Sequence, residues 1–246
     1  MAVDGYLAEV GRIQQISDAA LLDLNEVLED LGRTEAAALE EAVSRLEEKR
    51  LAVEAGRVEI EELKTPPAAQ PLREHLLELY AEGSQVLGEL IGIGNYRKRM
   101  EPVSAAYEEA AGEFAAQARQ AESEVALTAA IEAFAGTISH ALVQAEEMTP
   151  PASASLEHGR FLDNLDSLGS GLQEVIAGIA SGDQGRIDAA SADLSEVFGN
   201  SEAVREEIRQ ERRADVAGFN ARIERMKELS QLIMEDQVQL RMKFGQ

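Results

Sequence analysis

Apolar side chains recur along the first part of the chain at alternating gaps of four and three residues. Side chains at this spacing lie on one stripe of an α-helix and pack against another helix. Gly32 ends the pattern, and Thr34 is a suitable N-cap for a further helix. The pattern predicts a helix over residues 1–33, and its stripe consists of Tyr6, Val10, Ile13, Ser17, Ala20, Leu24, Val27 and Leu31.

A second helix with the same spacing follows directly. Two helices of about 30 residues, at ~1.5 Å per residue, are each ~45 Å long. Because the break between them is short, we expect them to form an antiparallel hairpin. The second stripe consists of Leu39, Ala42, Leu46, Lys49, Val53, Gly56, Ile60 and Leu63.

Proline and glycine divide the middle of the chain. Thr65-Pro66-Pro67 ends the second helix, because proline lacks an amide donor and disfavours helical geometry in the residue before it. We predict a third helix over residues 71–91 and a turn at Gly92-Ile93-Gly94-Asn95. Pro102 suits the first turn of a fourth segment, which continues to Thr149-Pro150-Pro151.

Three further helices are predicted in the last third of the chain. A fifth helix spans residues 155–180, a short helix follows to Phe198, and a last helix runs to about Met242. Ser181-Gly182-Asp183 and Gly199-Asn200-Ser201 each end one helix and begin the next. The stripe of the last helix consists of Val216, Phe219, Ile223, Met226, Leu229 and Ile233.

The order of these elements repeats along the chain. Thr65-Pro66-Pro67 recurs as Thr149-Pro150-Pro151, and further matches keep the same order, which predicts an internal duplication with a period of about 84 residues. Residues 102–148 either form one continuous helix that bridges the two copies in an extended rod, or bend near Gly112 or Gly136 so that the copies pack side by side. The further matches are Glu74-His75 with Glu157-His158, Gly92-Ile93 with Gly178-Ile179, Ala105-Ala106 with Ala189-Ala190, Phe114 with Phe198, Phe134 with Phe219, and Ile138 with Ile223.

The duplication suggests a division of the chain. Residues 1–33 would form an N-terminal helix, residues 34–117 the first helical repeat, and residues 118–246 the second repeat with a long C-terminal helix. The same elements could also form one continuous domain. In either case the predicted fold class is all-α, an antiparallel, coiled-coil-like bundle of about six or seven helices.

Composition supports an all-helical fold and excludes several kinds of partner. Aromatic residues make up only 4% of the chain, which is low for a β-sandwich or barrel. The net charge of −23 repels nucleic acid and anionic lipid. Cysteine is absent, which removes disulfides and thiolate chemistry. No apolar run approaches the roughly 20 residues of a membrane span, so we expect no transmembrane segment.

No arrangement of side chains predicts catalysis. A di-metal site in a helical bundle needs Glu-x-x-His, and His75, His140 and His158 have no Glu three positions earlier. We therefore expect no catalytic, cofactor-binding or metal site. His75 and His158 remain of interest, because each follows a Glu at the same place in its repeat. They are either equivalent binding or pH-sensing imidazoles or, as we favour, packing groups near the Pro-Pro corners.

Two other motifs have ordinary structural explanations. Gly92-x-Gly94 followed by Tyr96-Arg97-Lys98-Arg99 lacks the Gly-Lys-Ser/Thr ending of a nucleotide-binding loop, so we interpret it as a helix end and a basic turn. Met226, Met234 and Met242 could form an adaptable binding stripe, but we expect them to fill the stripe of the last helix.

The Thr-Pro-Pro motif with a following Glu-His resembles the helical domains of uncharacterised bacterial envelope proteins, which are lipoprotein-like. The matching residues are Thr65-Pro66-Pro67 with His75, and Thr149-Pro150-Pro151 with His158 and Ser181-Gly182-Asp183. The resemblance covers residues 34–200 and implies an extracytoplasmic location, but no reaction.

Three functions are compatible with these features. The first is a non-catalytic helical binding or structural module, outside the cytoplasm and associated with the envelope, that contacts a protein or envelope partner. The second is a cytoplasmic coiled-coil scaffold that associates with itself. The third is a small-molecule carrier with a pocket between its helices, which would be lined by His140 or His158.

Overall fold

The structure, a computed structural model, describes residues 2–21, 27, 31, 36–199 and 201–244. These residues form seven α-helices and no strand, which confirms the predicted all-α bundle. Two single turns of 3₁₀-helix, Pro67–Ala69 and Ala152–Ala154, follow the two Pro-Pro pairs. The helices are α1 (Val3–Leu21), α2 (Ala36–Glu62), α3 (Gln70–Gln120), α4 (Glu124–Glu146), α5 (Ser155–Ser181), α6 (Gln184–Gly199) and α7 (Ser201–Phe244).

The chain divides into two compact units. The first unit contains Met1–Asn95 and Ala214–Gln246, and the second contains Tyr96–Arg213. These limits do not coincide with the predicted boundaries at 33/34 and 117/118. The reason is that Leu229 and Ile233 of α7 are buried in the same core as α1, α2 and the first part of α3, so the end of the chain joins its beginning.

The first unit has the aliphatic core that the predicted stripes require. Leu39, Leu46 and Ile60 of α2 are fully buried, as are Tyr6 and Val10 of α1. α1 and α2 are antiparallel, because Arg12 pairs with Glu59, whereas Ser17, later in α1, contacts Gly56, earlier in α2. α2 also contacts α3, where Ser84 Oγ donates a hydrogen bond of 3.0 Å to Glu54 Oε1.

The second unit has an aromatic cluster in its core. The rings of Phe114 and Phe134 stack with centroids 5.0 Å apart, and Tyr107 contacts both Phe134 and Phe161 at 6.2 Å. These residues come from α3, α4 and α5, so the cluster holds three helices together. Leu165, Leu168 and other aliphatic side chains of α5 complete the core.

The predicted turn at Gly92-Ile93-Gly94-Asn95 is wrong, because α3 continues through it. A Cβ at Gly94 would lie 2.5 Å from Val43 Cγ2 and 2.9 Å from Leu31 Cδ2. The glycine therefore permits close packing of helices, and no turn is formed. Buried Leu90 and Ile91 continue the helical stripe up to this point.

The predicted start of the fourth segment at Pro102 is also wrong, since Pro102 lies inside α3. Its neighbour Val103 is buried, and the packing of this turn offsets the loss of one backbone hydrogen bond. The actual break comes between α3 and α4, where Ser123 Oγ accepts a hydrogen bond of 3.2 Å from Ala126 N. Gly112 and Gly136 lie within helices and end neither of them.

Several other boundaries are confirmed. Both Thr-Pro-Pro corners end a helix, and α5 begins at Ser155 as predicted. Gly182 adopts a left-handed conformation with φ of +67° and ends α5. Asp183 Oδ1 then accepts a hydrogen bond of 3.1 Å from Arg186 N at the start of α6. A residue in left-handed geometry followed by an acidic N-cap is what Ser181-Gly182-Asp183 predicts.

Some predictions concern residues outside those that the structure describes. The helix stop at Gly32, the N-cap at Thr34, and Asn200 between the last two helices belong to this group. So do the side chains of Ala20, Leu24, Phe198 and Val216. The internal duplication itself stays a prediction, although both Pro-Pro corners have the same local form.

Candidate functional site

His75 lies in the first unit, on α3, where it contacts α7. Its Nδ1 is 2.9 Å from Oδ2 of Asp236, and both side chains are partly exposed. Two nearby ion pairs also connect these helices, Arg225 with Glu78 and Arg222 with Glu89. His75 therefore contributes one polar contact between α3 and α7, and its role stays a prediction.

His158 lies in the second unit, on α5, and has a different environment. It is only 5% exposed, and its Nδ1 is 3.0 Å from the hydroxyl of Tyr96 on α3. The two rings meet edge to face at 5.6 Å. Burial lowers the pKa of His158, while burial and the charge of Glu157 raise the pKa of Tyr96 to about 12. Both groups are therefore neutral at pH 7.

The two histidines consequently do not form equivalent sites. One has a carboxylate partner and the other a phenol, and they belong to different units. Sequence alone could not separate these environments, because Asp236 and Tyr96 lie far from the Glu-His pairs along the chain.

The other candidate residues also lie apart from any common site. His140 is exposed on α4, and Met234 and Met242 are 59% and 75% exposed, so of the three methionines only Met226 fills the stripe of the last helix. Gly92 and Gly94 are helical, so they form no phosphate-binding loop. Among the described residues, no group of three or more His, Asp or Glu side chains is placed to hold a metal ion.

The most unusual surface of the second unit is the outer face of α4. Its inner face supplies Ile131, Phe134 and Ile138 to the core. Its outer face carries a second stripe with alternating gaps of three and four, and this stripe is exposed. We call this stripe the outer α4 stripe; it consists of Ala126, Ala129, Ala133, Gly136, His140 and Val143.

A groove runs beside the outer α4 stripe, between α4 and α5. Its volume is about 520 Å³, and Gly136 belongs both to the stripe and to the groove. We call it the α4–α5 groove; it is lined by Glu132, Ala135, Gly136 and Ser139 of α4 and by Gln173, Ile176 and Ala177 of α5. Neither His140 nor His158 lines it, so the carrier hypothesis gains no support from this groove.

Small side chains make this surface suitable for a helix. Alanine and glycine at helical spacing allow the backbones of two helices to approach closely, and alternating gaps of three and four match the packing of one helix along another. Exposed Val143, with 54% of its surface accessible, would supply an apolar contact at one end. The spacing and the small side chains therefore suit close contact with a second helix.

The apolar character of α4 also bears on the membrane. In the described part of the chain, α4 is the one helix long and apolar enough to cross a membrane, and 33% of its apolar window is buried. The sequence has no uncharged apolar run of this length, because Glu132 interrupts the apolar residues of α4. Core helices of soluble proteins share this composition, and the inner face of α4 is such a core, so the absence of a transmembrane segment stays a prediction.

The outer α4 stripe lies outside the sequence predictions, because those predictions assign one apolar stripe to each helix. The signal was the lack of charge: between Val125 and Ala145, Glu132 is the one acidic residue, and there is no Lys or Arg. A surface helix normally carries charged residues on its outer face.

No protein family model, curated protein or solved structure matches this chain.

Proposed function

We propose that this chain is a helical binding module, and that the outer α4 stripe with the α4–α5 groove is its binding surface. The observation that carries the proposal is the second stripe of α4, which is spaced for helix packing and exposed. Exposed small and apolar side chains at this spacing, with His140 as the one polar member, are typical of surfaces that contact another protein. The partner therefore belongs to the class of proteins that present a helix.

A comparison within the chain supports this choice of surface. α2 precedes the first Pro-Pro corner as α4 precedes the second, and α2 contains eight acidic and four basic residues. α4 contains three acidic residues, two of them at its ends, and no Lys or Arg. A helix whose outer face only needs to be solvated resembles α2. The outer face of α4 is therefore better explained by contact with a partner.

Self-association is the second candidate function, because the outer α4 stripe could also pack against the same stripe of another copy. The charges oppose it. The stretch 120–185 contains ten acidic residues and one basic residue, Arg160, so two copies would bring like charges together. A partner with a different charge is consequently the better candidate.

Site-specific photo-crosslinking in the source organism tests the proposed function. A photoreactive amino acid at Val143 should give a discrete crosslinked product, because this side chain lies at the end of the outer α4 stripe. The matched control is Leu51 of α2, an apolar side chain that is 62% exposed. Crosslinking at Val143 but not at Leu51 supports the proposal. Failure at Val143, or identical products from both positions, contradicts it.

An extracytoplasmic, envelope-associated location and a non-catalytic role belong to the same proposal. The location has its support in the resemblance of the Thr-Pro-Pro and Glu-His motifs to envelope proteins. Fractionation of the source organism, followed by immunodetection of this chain, measures the location directly. Recovery with the cytoplasmic fraction would contradict the envelope assignment and leave the binding surface on α4 unaffected.

A further inference from the structure

We propose that the α4–α5 groove binds a cationic amphipathic helix of a partner protein. This inference rests on the proposed function and adds the chemistry of the partner. Three features of the described residues determine that chemistry: the shape of the groove, the charges on the two helices that form it, and the spacing of the outer α4 stripe.

The shape of the groove requires a partner with a narrow apolar edge. Ala135, Gly136 and Ala177 leave space between the two helices, and Ile176 provides an apolar contact at the side of α5. A Cβ placed at Gly136 would meet no atom within 4 Å, so this position is open. Leucine or alanine side chains of a helix lying along the groove would occupy this space.

The charges around the groove require that the partner be basic. α4 and α5 together hold seven acidic residues and only Arg160 as a base. Glu132 lines the groove, and Asp166 lies on the same face of α5 as Gln173, two helical turns earlier. Neither carboxylate has an ion pair among the described residues. By contrast, Glu174, next to Gln173, is paired with Arg186 at 2.5 Å.

Other occupants fit this surface less well. Anionic lipid and nucleic acid would be repelled by the same carboxylates. A second copy of the chain would place Glu132 and Asp166 against an equally acidic surface. A helix with lysine or arginine beside an apolar edge contacts the groove and the carboxylates at once, and such charge complementarity also raises the association rate.

The test uses a synthetic amphipathic helix of 18 residues, with leucine and alanine along one edge and lysine on both sides of it. A second peptide has glutamate in place of every lysine. Binding of each fluorescent peptide to the full chain is followed by anisotropy at about 0.15 M salt, where charges are screened beyond about 8 Å. We expect the lysine peptide to bind and the glutamate peptide to bind at least about tenfold more weakly.

Two pairs of variants separate groove binding from general attraction to an acidic protein. Gly136→Leu fills the groove without changing its charge, and its control is Gly112→Leu, at another exposed helical glycine of the second unit with no atom within 4 Å of its Cβ. Glu132→Gln removes a carboxylate of the groove, and its control is Glu48→Gln on the exposed face of α2. We expect losses of about tenfold for Gly136→Leu and about threefold for Glu132→Gln, and less than about twofold for either control.

Several results would overturn the inference. Equal losses for Glu132→Gln and Glu48→Gln would show non-specific attraction, and full binding by Gly136→Leu would place the peptide elsewhere. Tighter binding of the glutamate peptide would reverse the proposed charge. If sedimentation shows a dimer and Gly136→Leu dissociates it, the occupant of the groove is a second copy of the chain. If crosslinking at Val143 succeeds while the lysine peptide fails, the binding module stands and only its partner chemistry is wrong.

Discussion

The segments around the two Thr-Pro-Pro corners have the same order of elements, but the outer faces of their first helices differ in charge. α2 and α4 each bury one stripe, and each is followed by a single 3₁₀ turn and a further helix. The outer face of α2 is charged, whereas the outer α4 stripe has alanine, glycine and valine beside His140 and carries no Lys or Arg. We propose the binding surface on α4 because the inner faces serve folding in both units and the outer faces differ.

The corner histidines differ in the same way. His75 contacts the carboxylate of Asp236, and His158 contacts the hydroxyl of Tyr96. The two histidines, at equivalent positions of the predicted duplication, therefore have different environments. The side chains that they contact come from different helices, Asp236 from α7 and Tyr96 from α3.

The largest expected effect concerns the buried faces. Leu46→Ala in α2 and Ile138→Ala in α4 each remove side chains that are at most 1% exposed, so each should lower the free energy of unfolding by about 2–5 kcal/mol. Urea denaturation followed by circular dichroism measures both. A loss below about 1 kcal/mol for Ile138→Ala alone would show that α4 is not a core helix in solution.

The next effect concerns two glycines whose substitution by alanine should have opposite signs. A Cβ at Gly56 of α2 would overlap Ser17 Oγ, so Gly56→Ala should destabilise the chain by about 1–3 kcal/mol. A Cβ at Gly136 of α4 meets nothing within 4 Å, so Gly136→Ala should stabilise it by about 0.5–1 kcal/mol.

Gly112→Ala in α3 is the control for the gain in helix propensity, since its Cβ also meets nothing within 4 Å. Thermal denaturation of the three variants gives the signs. If Gly136→Ala stabilises the fold and weakens crosslinking at Val143, the glycine is kept for contact and not for folding. A destabilised Gly136→Ala variant would contradict the open groove.

These glycines also show how far sequence could predict the fold. The stripes in α2, α5 and α7 follow from the spacing of leucine, valine and isoleucine, and Gly182 ends its helix as expected. Gly94 gave the wrong prediction, because a glycine that ends a helix and one that admits a neighbouring side chain look alike in sequence. The neighbours, Val43 and Leu31, lie more than 50 residues earlier.

The candidate surface was less predictable than the fold, for a related reason. Deciding that Ala129, Ala133 and Gly136 face outward requires knowing that Ile131, Phe134 and Ile138 face the core. Both sets are compatible with a buried helix of low charge. The break that begins α4 was nevertheless available in sequence, because Ser123 followed by Glu124 is a helix start signal.

A smaller effect comes from pH and depends on the burial of His158. Burial lowers the pKa of His158 in the folded chain, whereas the unfolded imidazole takes up a proton near pH 6.5. As pH falls through 6.5 the unfolded state binds more protons, so stability that is present above this pH is lost below it. The slope due to His158 is at most about 1.4 kcal/mol per pH unit.

The difference between the chain and its His158→Gln variant isolates this contribution, since acidic groups act on both proteins alike. Urea midpoints between pH 8 and pH 5 should converge as the pH falls, because only the original chain carries the penalty for a buried imidazolium. At pH 8 the difference reports the lost packing of the buried imidazole together with its lost contact with Tyr96. Parallel midpoints over the whole range would contradict a lowered pKa.

The smallest effect on stability is expected at the exposed apolar side chains. Substitutions there test binding without disturbing the fold. Val143→Glu in α4 and Leu51→Glu in α2 change residues that are 54% and 62% exposed, so each should alter the free energy of unfolding by less than about 0.5 kcal/mol. With folding unaffected, binding of the lysine peptide reports the surface directly. We expect Val143→Glu to weaken binding, because it removes the apolar contact at one end of the outer α4 stripe, and Leu51→Glu to leave binding unchanged. Equal responses from both positions would mean that the outer faces of the two helices do not differ in function.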